Sequence, residues 1–256
     1  MLQRVFFKLV LIFVLSGIVS QYAHAQGSVS DSTISTFILQ VNYAYQIPGG
    51  DMAEDYGHNS VIGPEFTYKT NKNWLWGLEA SFVFGNDVKK AGEIIEQITG
   101  DQSFVIGLDG TFTNVRPMER GFSTLAKVGK IIPAFNINPN SGIVFNFGLG
   151  YMQHKIRWDV EGNNAPQLGG DYKKGYDRFS EGIILSQSLG LLYLADARLW
   201  NFKAAVEVQE AFTTMKRYNF DTMGGDSKKR VDLLFGIKLS WMIPLYGRAP
   251  KAMYYF

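Results

Sequence analysis

Outside its first 25 residues the chain holds two histidines, His58 and His154, and His58 stands between Asp55 and Ser60. An imidazole near a carboxylate and a hydroxyl is the equipment for activating a hydroxyl or a water toward an ester. Polar loops collect these residue types by composition alone, so no catalytic residue is assigned. There is no cysteine and no ligand spacing around the histidines, so the sequence supplies no metal site and implies no cofactor. Gly148-Leu149-Gly150 lies in an alternating apolar run, where glycine relieves crowding instead of cradling a phosphate.

A second set of titratable groups is more informative. Glu65, Lys69, Glu79, Asp109, Lys203, Glu207 and Lys238 each fall at alternate positions within apolar stretches, which turns them to one side of a sheet. Acids and bases are mixed in this set. Losing one partner of a buried pair costs ~3–5 kcal/mol, so the groups are expected to form a hydrogen-bonded network. A network of that kind plugs a narrow interior; a proton or ion path is the alternative.

The elements that position them are long strands. In Val231–Tyr246 the odd positions from Val231 to Leu245 are all apolar, while Asp232, Gly236, Lys238 and Ser240 occupy even ones. Such a run exceeds the usual globular strand and suits a bilayer crossing, which needs ~9–11 tilted residues. The same rhythm gives strands at 35–47, 61–70, 74–85, 103–115, 142–158, 182–194 and 202–215. Between 86 and 102, AGEIIEQITG has the spacing of about two helical turns. In GFSTLAKVGKII, residues 121–132, apolar residues recur at three to four, which predicts a short amphipathic helix at the periplasmic interface, with Lys127 and Lys130 on its polar side.

The expected fold is therefore all-β, an eight-stranded antiparallel up-and-down transmembrane β-barrel with a short periplasmic amphipathic helix; ten strands are the alternative. Tyr68, Trp74, Trp76 and Trp241 gather near one end of the strands as an aromatic girdle. On 142–158 the outward apolar residues give way after Tyr151 to Gln153, Lys155 and Arg157, which sets the outer boundary. Gln187 breaks an apolar outward face. Either the strand bulges there, or Gln187, with Glu210 on the next strand, marks a face for a partner.

Arg4 and Lys8, an apolar run from Leu9 to Val19 and Ala23-His24-Ala25 read as a signal peptide over 1–25, leaving 26–256 as one barrel domain with both termini periplasmic. The leader's two bases account for the whole formal charge of +2, and nothing invites nucleic acid.

With the leader, the alternating strands and a last strand ending in WMIPLY, the chain resembles small outer-membrane β-barrel proteins of the eight-stranded OmpA-transmembrane and OmpX architecture. NPNSGIVFNFGLGYMQHKIR, PQLGGDYKKGYDR and YNFDTMGGD further resemble functionally uncharacterised barrels of Bacteroidota outer membranes. Many such barrels end on the aromatic residue that closes the last strand, whereas here GRAPKAMYYF continues past Tyr246. The resemblance implies an outer-membrane location among lipid. It also implies a closed barrel with a structural role, or an accessory role beside the subunits of barrel-insertion or secretion machinery. It carries over no catalytic residue. A narrow passive pore and a lipid A-modifying enzyme using His58 are the other readings.

Overall fold

The computed structural model describes residues 29, 32–99, 105–163, 165–195, 197, 199–220, 223–225 and 228–246. The leader and the tail after Tyr246 lie outside them. Eight antiparallel strands close into a barrel: β1 (Thr36–Gly50), β2 (Asn59–Lys69), β3 (Trp74–Gly85), β4 (Val115–Pro133), β5 (Gly142–Val160), β6 (Ser180–Tyr193), β7 (Asn201–Met215) and β8 (Lys229–Pro244). Each pairs with its neighbours in sequence, and β8 returns to β1 with Val41 opposite Trp241 and Tyr45 opposite Ile237. The alternation that forms these strands also assigns their two sides. In β1, Ile38, Gln40, Asn42, Ala44 and Gln46 are buried, whereas Phe37, Leu39, Val41, Tyr43, Tyr45 and Ile47 are exposed.

Exposed large apolar residues continue around the ring in the same register. A soluble monomer rarely exposes a contiguous apolar patch above a few hundred Å², so this belt faces lipid. Among the described residues no helix is long and apolar enough to cross a membrane; the strands make the crossing.

The connections are unequal. Thr70–Asn73 is a tight turn, closed by hydrogen bonds from Thr70 N to Trp74 O (2.8 Å) and from Asn73 N to Thr70 O (3.0 Å), and it lies at the same end as the β4–β5 and β6–β7 connections. The three longest connections, β3–β4, β5–β6 and β7–β8, occupy the other end together with β1–β2, which is no longer than β4–β5. They carry α1 (Met52–Asp55) and α2 (Ala91–Thr99), the second over the residues whose spacing predicts a helix.

Two expectations are corrected. GFSTLAKVGKII is strand, not helix: it forms the middle of β4, paired on one side with β3 and on the other with β5. The helical spacing arises because both faces carry apolar residues. Leu125 and Ile131 point inward while Phe122, Ala126 and Ile132 point outward, so apolar positions alone do not follow period two. The polar side expected for Lys127 is in fact the barrel interior.

The barrel strand expected at 103–115 is not there among the described residues, 105–115; Ser103 and Phe104 lie outside them. Val105–Ile106 pairs with Phe112–Thr113 in a small hairpin of the β3–β4 connection. The sequence signal against a spanning strand is Asp109-Gly110, a turn dipeptide whose glycine has φ +75°. Asp109 therefore does not line the lumen. It is exposed and accepts hydrogen bonds from Thr111 N (3.0 Å) and Thr111 Oγ1 (2.8 Å). One misplaced strand replaces another, so the ring has eight strands and not ten.

Candidate functional site

Inside the barrel, three carboxylates and three ammonium groups meet at one level. Lys127 lies 2.7 Å from Glu79 and 3.3 Å from Glu65. Lys203 lies 3.5 Å from the same Glu65 oxygen. Lys238 bridges Glu79 at 2.9 Å and Glu207 at 2.7 Å. These residues come from β2, β3, β4, β7 and β8, and all six are buried. Glu65 on β2 thus reaches Lys203 on β7, and Glu79 on β3 reaches Lys238 on β8, so opposite walls touch through their side chains.

Neutral groups complete the carboxylates. Asn42 and Thr67 each donate to Glu65 at 2.9 Å, Ser81 donates to Glu79 at 2.8 Å, and Ser186 donates to Glu207 at 2.9 Å. Gln209 also donates to Glu207, at 3.1 Å. Three acids against three bases leave no net charge, which is the condition under which burying six ions is tolerable. On the β5 wall Gly148 stands beside this ring; a Cβ there would come within 3.1 Å of Lys127 Cγ. Its bareness gives the lysine stem its space.

Lys69, expected in the same network, sits apart at the short-turn end. It donates to Asn140 Oδ1 (2.8 Å) and to Ile34 O (3.0 Å). Asn140 in turn donates to Val29 O and Ser32 O, both at 2.8 Å, and so ties the segment before β1 into the barrel mouth. Val29 and Ile34 pack there with Ile38, Leu75, Ile131, Val144, Leu192 and Met242 as an apolar floor.

Toward the long-loop end, Leu125, Met152, Ile184, Ala211 and Leu234 project inward and meet Met52 of α1, Ile94 of α2 and Leu168 of the β5–β6 connection as an apolar roof. A second polar cluster lies beside that roof. Asp55 receives Arg230 at 2.6 Å and Arg178 at 3.1 Å. Asp232 takes His154 Nε2 at 3.2 Å and the Thr213 hydroxyl at 2.5 Å. Asn59 donates to both oxygens of Glu119 at 3.1 and 3.2 Å. Tyr56, in the loop after α1, stands edge-on to His154 with ring centroids 5.5 Å apart. Its burial, reinforced by Glu119 and Asp55, holds the phenol well above its ordinary range, so it stays protonated.

The three residues that could activate an ester, Asp55 at the end of α1, His58 in the connection and Ser60 in β2, are separated. His58 is exposed and its nearest carboxylate is Asp87 at 3.7 Å. Asp55 is held by the two arginines, and Ser60 bonds to the Tyr43 hydroxyl at 3.1 Å. His154 is buried beside Asp232, away from lipid and solvent.

Sequence reasoning missed Lys127, Glu119, Asp232, Arg230 and the His154 pairing. The signal for Lys127 was the inward series Ser123, Leu125, Lys127, Gly129 and Ile131, legible once residues 121–132 are read at period two. For the upper cluster no local signal exists, because Asp55 and Arg230 lie at opposite ends of the chain.

On the outer surface, Tyr68, Trp74, Trp76 and Trp241 are exposed toward the short-turn end. Trp241 donates to Leu199 O at 2.8 Å, and Lys130 lies 5.0 Å from the Trp74 ring centroid. Gln187 also faces outward, between Phe147 and Val208. The pairing of β6 runs without a break on both sides, so the bulge reading is set aside. No hydrogen bond engages the Gln187 side chain among the described residues. Glu210 faces outward one pleat further along β7, opposite Leu185 and Leu233.

Comparison with known proteins gives a likeness of fold alone. No family model and no curated protein matches the chain. Among solved structures, the attachment invasion locus protein Ail of Yersinia pestis is 11% identical, with a TM-score of 0.41 over 82% of this chain and 99% of that one. The N-terminal β-barrel domain of Pseudomonas aeruginosa OprF is also 11% identical, with a TM-score of 0.35 over 81% of this chain and 100% of that one.

Proposed function

We propose that the protein is a closed, non-conducting outer-membrane barrel that acts through its loops and its outer face, as a structural element or as an accessory subunit of a larger outer-membrane assembly. The observation that carries this reading is the contact of opposite walls: Glu65 with Lys203 and Glu79 with Lys238 bridge the bore at 3.5 and 2.9 Å, between an apolar floor and an apolar roof. Closed barrels that span a bilayer with short turns at one end and long loops at the other are an outer-membrane architecture. The short turns, and with them both ends of the described chain, are assigned to the periplasm.

Two measurements test it. In planar bilayers the purified protein should give no single-channel steps; discrete steps abolished by Glu79→Ala would replace this reading with that of a pore. For orientation, a cysteine at Asp171, exposed in the β5–β6 connection, should label from outside intact cells with an impermeant maleimide, whereas one at Asn71 in the β2–β3 turn should not. The natural chain has no cysteine to confuse the result.

Gln187 and Glu210 supply the surface for a partner. An amide and a carboxylate on adjacent strands of a lipid-facing wall are costly unless another protein meets them. Gln187→Leu with Glu210→Gln should strip co-purifying outer-membrane proteins from the barrel in mild detergent while leaving it folded. An unchanged set of partners would remove this face from consideration.

A further inference from the structure

β4 and β5 are the longest strands, and their upper ends run past both neighbours. β3 ends at Gly85, opposite Glu119, and β6 begins at Ser180, opposite His154. Above that level the only strand pairing of β4 and β5 is with each other, as far as Val115 opposite Val160, with the β5–β6 connection meeting β5 through Ile156 N to Asp177 O at 2.7 Å. The outer side of this ribbon continues the lipid belt upward. On β5 it passes from Leu149 and Tyr151 through Gln153 to Lys155 and Arg157, and on β4 from Phe122 to Arg120.

The register sets Arg120 directly opposite Lys155, and Arg157 lies one pleat above Lys155, opposite Met118. Like charges directly opposite on an antiparallel pair repel. No carboxylate among the described residues forms an ion pair with any of the three. Glu119 points inward to Asn59, Glu181 is occupied by the Tyr151 hydroxyl at 2.5 Å, and Asp159 stands opposite Arg116. Arg120 donates to neutral acceptors only, Glu119 O at 2.6 Å, Gly85 O at 3.3 Å and Met118 Sδ at 2.8 Å. Those bonds fix the guanidinium on the rim; Glu119 and Asp159 act on it only at a distance, as Asp177, itself paired with Arg217, acts on Lys155. Lys155 rises on the order of 10 Å above Tyr151, at the ~3.3 Å per residue of a strand inclined to the membrane, which is headgroup depth.

We propose that Arg120, Lys155 and Arg157 bind the phosphate groups of a phosphorylated lipid of the outer leaflet, whose acyl chains lie on Phe122, Leu149 and Tyr151 below. An anion between the opposed cations turns their repulsion into shared charge-assisted hydrogen bonds, and arginine suits phosphate by its planar fork. The continuity of the cations with the lipid belt is what favours a lipid headgroup over a soluble phosphate. The proposal rests on the orientation given above, which cysteine labelling tests separately.

The test places the full-length protein in phosphatidylcholine nanodiscs doped with diphosphoryl lipid A and counts lipid retained per barrel by native mass spectrometry. Arg120→Gln/Lys155→Gln/Arg157→Gln should lower retention by about five-fold per cation removed, while Lys173→Gln/Lys174→Gln in the β5–β6 loop should leave it at the native level. Lys155→Gln alone relieves the opposed pair and so keeps the barrel folded; it should lose about five-fold by itself. Retention unchanged in Lys155→Gln, equal loss in the loop variant, equal retention of dephosphorylated lipid A, or displacement by an equal concentration of inorganic phosphate would each overturn the proposal.

Discussion

Replacing Lys238 by Met should lower the stability of the barrel by ~3–5 kcal/mol, the cost of breaking a buried ion pair from one side. Lys238 is the only described cation that reaches Glu207, at 2.7 Å, and it also reaches Glu79 at 2.9 Å. Methionine matches the length of the lysine stem without its charge, so the loss is electrostatic and not a cavity. After the change Glu79 keeps Lys127 at 2.7 Å, but Glu207 keeps only Ser186 and Gln209, which are neutral donors. The orphan is therefore Glu207. Adding Glu207→Gln to Lys238→Met should recover most of the loss, because it removes the uncompensated charge instead of the interaction. Urea unfolding from detergent micelles measures both. A shift within ~0.5 kcal/mol for the single variant, the range of an ordinary surface substitution, would show that water enters the ring and that the lumen is wetter than its geometry.

The ring also explains which parts of the protein could be read from the chain. A lipid-facing strand has one obligatory property, an apolar outer side, so β1, β2, β3, β7 and β8 declare themselves by alternation. β4 hides because its inner side is partly apolar as well: Leu125 belongs to the roof and Ile131 to the floor. The two plugs of the lumen thus erase the pattern that would have revealed the strand. Glu65, Glu79, Lys203, Glu207 and Lys238 could be assigned to the interior from the sequence, since each is flanked by apolar residues on the outer face of its strand. Which acid meets which base could not be, because partners such as Glu65 and Lys203 are fixed by the closure of β8 on β1. Lys69 had the correct side but the wrong level, and its partner Asn140 lies in a turn that alternation does not describe.

Asp55→Ala should loosen the roof without opening the bore. Asp55 is the acceptor for two guanidinium groups that arrive from different connections, Arg178 before β6 and Arg230 on β8. Arg230 also donates to Asp51 O at 2.9 Å, and Val231 N donates to Asp51 Oδ2 at 2.8 Å, so α1 is clamped to the top of β8 from both of its ends. Removing the carboxylate leaves two largely buried cations facing each other. Arg230 retains Asp232 only at 3.6 Å, and the local cost is ~3 kcal/mol or more. That energy exceeds what one turn of helix can hold, so α1 and Tyr56 should detach as a unit while the strands stay paired. Hydrogen exchange gives the expected signature: the Tyr56 amide, bonded to Met52 O at 2.9 Å, should exchange faster by about a hundred-fold, while amides of β1 and β8 below Gly50 keep their protection. Planar bilayers should remain silent, because the ring of three acids and three lysines still closes the lumen beneath the detached roof. Unchanged exchange at Tyr56 would mean that Met52, Ile94 and Leu168 hold the roof by apolar contact alone. Channel activity in this variant would move the seal from the ring to the roof, and the closed state of the barrel would then depend on its external loops.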